Sequence, residues 1–153
     1  IEKVKSTDIL ISNFKKGDDV KLNITDTALR KVNPKLIIAK ITGFGLESDR
    51  VAYDLILQAE SGFMSINGEK NAGPLKMPVA LIDVLAAHQL KEAILLALLH
   101  RHTEGEAKTV HVSLYDAAVC SLTNQASNYL MTKNSPERLG NLHPNIASYG
   151  EIF

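Results

Sequence analysis

Two short apolar runs, Ile9-Leu10-Ile11 and Leu36-Ile37-Ile38-Ala39-Lys40-Ile41, constrain this chain more than any other feature. Brief runs rich in β-branched residues are typical of parallel strands covered on both faces. Between them lies a polar segment with helix signals. Thr25 or Asp26 is placed to cap a helix start, and Asn33-Pro34 ends it, because proline disfavours helical backbone in the residue before it. Parallel neighbours cannot be joined by a tight turn, so strand, helix and strand read as one crossover unit of a parallel sheet. Asn13-Phe14-Lys15-Lys16-Gly17 leaves the first strand as a loop, and Thr42-Gly43-Phe44-Gly45 closes the second.

From Tyr53 to about Met64, the apolar positions Leu55, Ile56, Ala59 and Phe63 recur at helical spacing. Asn67 to Pro78 carries Gly68, Gly73, Pro74 and Pro78 and reads as a loop. A long apolar helix is predicted from Leu81 to about His102. Its second half is apolar on nearly every face, so it is expected inside the fold or at an interface. Thr103-Glu104-Gly105-Glu106 ends it. Thr109 to Leu114 alternates as a strand, Tyr115 to about Thr132 reads as one further helix, and Asn134 to Phe153 is a turn-rich tail expected to pack on something outside this sequence. The chain opens on Ile1 and closes on Glu151-Ile152-Phe153, and both ends read as cut from a longer protein.

Seventeen basic and seventeen acidic side chains cancel, which gives no electrostatic footprint for nucleic acid or an anionic membrane. The longest nearly unbroken apolar stretch, Ala93 to Leu99, is far short of the ~20 residues of a membrane span. A lone cysteine, Cys120, excludes an internal disulfide framework and fits a reducing compartment; its helical setting suggests a small core residue. At 153 residues the chain is long enough to bury a core of its own.

Among the residues that could carry chemistry, Asp83 is the most informative. It follows Pro78 closely, sits in the apolar run Val79 to Ala87 and falls in the first turn of the long helix. There the helix dipole and free backbone N–H groups favour a carboxylate anion. Two roles remain open for it: a simple helix cap, or an ionised nucleophile partly shielded from water. Asp54 and Glu60 lie near another helix start and are candidate acid–base partners, or plain capping and surface carboxylates. His100-x-His102, His88, His111 and His143 lack metal-ligand spacing. Gly43-Phe44-Gly45 lacks the third glycine of a dinucleotide fingerprint and reads as a turn that another piece of backbone approaches closely.

Read in order, several segments resemble the class III coenzyme A transferases. They are Asp8-Ile9-Leu10-Ile11-Ser12-Asn13-Phe14, Asn33-Pro34-Lys35-Leu36-Ile37, Ile41-Thr42-Gly43-Phe44-Gly45 and Arg50-x-x-Tyr53-Asp54. Gln58-Ala59-x-Ser61-Gly62, Gly73-Pro74-Leu75, Val112-Ser113-Leu114-Tyr115-Asp116-Ala117 and Asn141-x-His143-Pro144-Asn145 continue the match. The family is the CaiB/BaiF-like one of formyl-coenzyme A and carnitine coenzyme A transferases, with α-methylacyl-coenzyme A racemases as relatives. The resemblance implies an α/β fold: residues 1–153 as an internal segment of a Rossmann-like, parallel-sheet large domain followed by a long buried helix, within an interlocked homodimer. Further strand–helix units, a small domain and a glycine-rich covering loop would then lie outside this sequence.

The family's catalytic aspartate falls on Asp83, fifteen residues beyond Gly68. The implied activity is transfer of coenzyme A from an acyl-coenzyme A to a carboxylic acid through aspartyl anhydride and aspartyl–coenzyme A thioester intermediates, without a metal. The implied coenzyme A contacts are Asn13, Phe14, Lys21 and Leu22, with Lys21 where many members carry an arginine near the phosphates. Lysine keeps the charge but loses the bidentate fork. Tyr53 stands where the racemases have a histidine, and tyrosine is a poor base near neutral pH, so racemase or epimerase chemistry is the weaker alternative. Around Met77-Pro78 the family's usual glycine before the aspartate is replaced. A cytoplasmic location is expected, and the chain by itself is expected to associate and to be inactive; the non-enzyme alternative is a truncated, non-catalytic fragment with a structural or dimerisation role.

Overall fold

The computed structural model describes residues 2–146. Ile1 and residues 147–153, on which both cut ends were read, lie outside the described residues. Three parallel strands, β1 (Ile9–Ser12), β2 (Ile37–Thr42) and β3 (Thr109–Ser113), form a sheet in the order β1-β2-β3. Ile9 pairs with Ile37 at one side, and Ile38 pairs with Thr109 at the other. The central strand is the apolar run read from the sequence, with Leu36, Ile37, Ile38 and Ala39 all buried. Alternate residues of a strand face opposite sides. Ile38 joins Leu36, Leu29 and Val4 in one cluster, under α2 (Asp26–Val32) and a 3₁₀ turn at Glu2–Ser6. The other face is covered by α5 (Leu81–Glu104), which packs on β2 and β3. This is the crossover unit and the mixed α/β architecture the sequence predicts.

Polar side chains lock these layers where backbone groups would otherwise go unpaired. Thr25 caps α2 by accepting the Ala28 N–H. Asn33, extended as a residue before proline should be, donates to the carbonyls of Val4 and Thr7. Arg30 donates to the carbonyls of Leu36 and Ala107 and to Thr109 Oγ1, which ties α2 to the starts of β2 and β3. Arg101 ties the last turns of α5 to Lys35 O and to the Asp8 carboxylate. Gly105, in the left-handed conformation at φ 76°, then stops the helix.

Two predicted helices are each split. The segment after Tyr53 forms α3 (Asp54–Glu60) and α4 (Phe63–Ile66), broken at Gly62 with φ 95°. The segment after β3 forms α6 (Leu114–Ser121) and α7 (Asn124–Thr132), broken at Thr123 with φ 47°. A short α1 (Asp18–Lys21) follows the first loop. At both breaks a serine, Ser61 or Ser121, donates back to a carbonyl four residues earlier, which favours bending at a helix end. Apolar periodicity runs on through a single left-handed residue and cannot register it. The buried face of α3 is also not the expected stripe: Leu57 and Gln58 are buried, whereas Leu55 and Ala59 are exposed.

Three further expectations narrow or change. Helix α5 buries Ile82, Ala86, Leu90 and Ala97 against the sheet and α6, but Leu95, Leu96 and Leu99 are 57%, 67% and 58% exposed. Of the two places expected for the second half of this helix, these leucines exclude the inside of this fold and leave an interface. Cys120 is exposed, because α6 buries the strip through Ala117 and Ala118 instead. The described part of the tail packs on the chain itself: Arg138 donates to Ser65 O, Gly140 N–H to Gly68 O, and Asn145 bridges Asn124 and Asn128.

Gly43 sits where the turn after β2 meets the loop returning to α3. A Cβ added there would lie 2.1 Å from the Ala52 Cβ. Close approach, not a left-handed backbone, makes this position require glycine. Gly43→Ala is expected to lower stability by about 1–3 kcal/mol, the usual range for overpacking. Urea denaturation measures it, and an unchanged midpoint would contradict the close approach.

Candidate active site

The carboxyl ends of β1 and β2 open into a cleft of about 850 Å³, the place where open α/β sheets bind ligands. Asn13 and Phe14 line it from the loop after β1, Gly43 and Gly45 from the turn after β2, and Asp54 and Asp83 from the first turns of α3 and α5. The sequence candidates Asn13, Phe14 and Asp83 thus share one cavity. Lys21 and Leu22 are not among its lining residues: Lys21 pairs with Asp18 at 3.1 Å, and Leu22 is exposed at the end of α1. Glu60 is also drawn elsewhere, to Arg50, whose guanidinium lies 3.8 Å over the Phe44 ring.

Helix α5 begins without a cap of its own. Ala80 is its N-cap residue and contributes no side-chain hydrogen bond. The missing acceptor comes from α3: Asp54 Oδ1 accepts the Ile82 N–H at 2.8 Å. Its second oxygen, Oδ2, accepts from Gln58 Nε2 at 2.6 Å, across the one-turn spacing that puts residues i and i+4 on one helix face. Gln58 is completely buried, and its amide reaches further. Oε1 accepts the Met77 N–H at 2.8 Å, and Nε2 also donates to Val79 O at 3.3 Å. Asp54 and Gln58 together hold the incoming segment 77–79 and the first turn of α5.

This arrangement bears on one of the two roles left open for Asp83, that of a helix cap. Capping belongs to Asp54, so the Asp83 carboxylate is exposed toward the cleft. Helix-start chemistry alone would lower its carboxyl, but the net shift is upward. Partial burial raises the Asp83 carboxyl above the usual aspartate range, and the nearby Asp54 charge raises it further. On the cleft floor the opposite holds for Asp26. Burial pushes its carboxyl up, but hydrogen bonds from Lys40 and Thr109 and the charges of Lys40 and Arg30 outweigh that and hold it below the usual range. Lys40 reaches it at 2.6 Å from the middle of the apolar strand β2.

Sequence reasoning singled out Asp83, which lines the cleft, but missed the Asp54–Gln58 pair as a unit. The signal was present: an acid and an amide one turn apart, with the amide on the face that must pack inward. Lys40 inside an otherwise apolar strand was a comparable signal for the Asp26 pair. Among the described residues, no three His, Cys, Asp or Glu side chains converge on a metal position. No described helix is long and apolar enough to cross a membrane.

Because the folded-state value of Asp83 is raised, its ionisation costs native stability. That cost appears as pH rises from the ordinary aspartate value, about 4, through the raised one. Asp83→Asn is therefore expected to melt at the same temperature or higher than the parent near neutral pH, with the difference vanishing in acid. A lower neutral-pH melting temperature would contradict the raised carboxyl.

Residues 3–153 match the family model described as CoA-transferase family III. Over 149 residues the chain is 42% identical to a succinate–glutarate CoA-transferase of Agrobacterium fabrum, covering 95% of this chain and 37% of that protein. It is 33% identical to a succinyl-CoA:mesaconate CoA-transferase of Haloarcula hispanica, covering 95% of this chain and 39% of that one. The crystal structure of a CaiB/BaiF family protein from Brucella suis superposes with a TM-score of 0.89 at 38% identity, over 96% of this chain and 40% of that one. The chain thus spans well under half the length of these relatives.

Proposed function

The chain belongs to CoA-transferase family III, and from that premise we propose that the intact protein transfers coenzyme A between an acyl-CoA and a carboxylic acid, with Asp83 as its nucleophile. The observation that carries this reading is the position of Asp83: it stands at the start of α5, on the cleft, with the capping duty taken by Asp54. A carboxylate so placed is available for attack, whereas a capping carboxylate is occupied.

The steps balance without a redox partner. A carboxylate oxygen of Asp83 attacks the thioester carbonyl, expelling coenzyme A thiolate and leaving an acyl–aspartyl anhydride. The thiolate returns to the aspartyl carbonyl, releasing the donor acid and leaving an aspartyl–CoA thioester. The acceptor carboxylate attacks that thioester, giving a second anhydride and freeing the thiolate again. Thiolate attack on the acceptor carbonyl then yields the new acyl-CoA and regenerates Asp83. Covalent catalysis of this kind divides one difficult exchange into easier acyl transfers. A carboxyl raised above the usual aspartate range makes, once ionised, a more basic nucleophile than a free aspartate.

On this reading Asn13 and Phe14 hold coenzyme A along the cleft, and Lys21 and Leu22 touch its outer end. The relatives' names make short dicarboxylic acids, such as succinate and glutarate, the first substrates to assay. The site is cytoplasmic in this account. The exposed leucines of α5 are covered in the intact homodimer.

Two measurements check the reading. In the intact protein, Asp83→Ala is expected to cut succinyl-CoA:glutarate exchange by on the order of 10⁴-fold while the fold is retained. Persistent exchange would remove Asp83 from the mechanism. The 153-residue chain alone is expected to self-associate in light scattering and to lack exchange activity. A stable monomer would contradict the role given to the α5 leucines.

A further inference from the structure

We infer that Gln58, acting through Asp54, is a positioning residue for Asp83: the buried pair sets where the first turn of α5 begins and so where the attacking carboxylate stands. The inference rests on the reading of Asp83 as the nucleophile, and the experiment below separates the two.

The geometry carries it. The first turn of α5 has no local cap, so its start is not fixed by its own sequence. Two hydrogen bonds fix it from outside: Ile82 N–H to Asp54 Oδ1, immediately before Asp83, and Met77 N–H to Gln58 Oε1, on the approach. The Gln58 amide joins them by donating to Asp54 Oδ2, and it also takes Val79 O. Gln58 therefore uses both ends of its amide, and Asp54 uses both oxygens. Each bond has one donor and one acceptor, so the pair accepts only one orientation of the amide. Below it Leu57 and Ile82 pack together in the core, so a shift of this turn cannot be absorbed without loss of buried contact. Gln58 contacts the elements that carry Asp83 and is not itself among the residues lining the cleft. Its effect must therefore be felt as misplacement of the nucleophile, and misplacement by about 1 Å costs on the order of 100-fold in rate.

The hydrogen-bond polarity supplies a test that a merely structural role would fail. Gln58→Glu keeps the acceptor for Met77 N–H but sets two carboxylates against each other. Asp54→Asn keeps the acceptor for Ile82 N–H but sets an amide against an amide, and turning the Gln58 amide to suit it would face an NH₂ group toward the Met77 N–H. The double variant Asp54→Asn/Gln58→Glu loses the bond to Val79 O but restores the rest of the chain with the central bond reversed: the new Asn donates to the new Glu, and both backbone donors keep their acceptors.

In the full-length protein, each single variant is expected to lose about 10- to 100-fold in kcat with KM for acyl-CoA within about threefold. The double variant is expected to recover most of the loss. Amide exchange at Ile82 and Met77, read alongside, should speed up in the singles and slow again in the double. Singles within twofold of wild-type kcat would overturn the proposal. So would singles that lose activity and a double that recovers neither turnover nor amide protection. If Asp83→Ala keeps its turnover, the nucleophile assignment fails instead, whatever the pair does.

Discussion

The start of helix α5 depends on a carboxylate that belongs to another helix. Ala80 offers no side-chain acceptor, and the first free N–H that needs one, that of Ile82, finds Asp54 at 2.8 Å. An unpaired backbone donor in a partly buried place costs about 1–3 kcal/mol, so this single bond joins the local geometry of α5 to the position of α3. It also frees Asp83, the residue next along, from the role its position would otherwise give it. The same charge raises the Asp83 carboxyl, adding to the effect of burial. One acid thus holds the turn, while its neighbour is left exposed and more basic.

The rest of the fold brings the remaining parts to that turn. A parallel sheet requires crossover helices on its faces, and its strands all end on one side. Here that side receives the loop carrying Asn13 and Phe14, the Gly43 turn and the two acidic helix starts. The Gly43 turn fits only because no side chain separates it from Ala52. Lys40 and Asp26 place a charge pair at the floor, in a strand otherwise built for burial. The cleft is therefore assembled from segments far apart in sequence. Leu95, Leu96 and Leu99 of α5 stay exposed among the described residues, in a chain that spans about two fifths of its relatives' length.

How much of this was legible in the sequence follows from what kind of force sets each feature. The strands are legible because burial on both faces leaves an apolar run, as at residues 36–39. The end of α2 is legible because proline acts on the residue before it. The breaks at Gly62 and Thr123 are not, because one left-handed residue leaves the apolar period intact on either side. The buried face of α3 is misread for a related reason: Gln58 looks polar, and its burial is compensated only by partners at residues 54, 77 and 79. Asp83 is legible as a candidate from its place at a helix start, and the ordered family segments raise it above a plain cap. Its freedom from capping depends on a contact between residues 54 and 82, which no local pattern encodes. Cys120 is misread because composition says which residues prefer burial, not which face finds a partner.

The most direct test of the account is to catch the covalent intermediate. The intact protein is incubated with succinyl-CoA, the acyl-enzyme is trapped with hydroxylamine, and its peptides are mapped by mass spectrometry. The account expects a hydroxamate on Asp83 that forms only when the thioester is present. A modification on another carboxylate, or none on Asp83 while exchange proceeds, would contradict it.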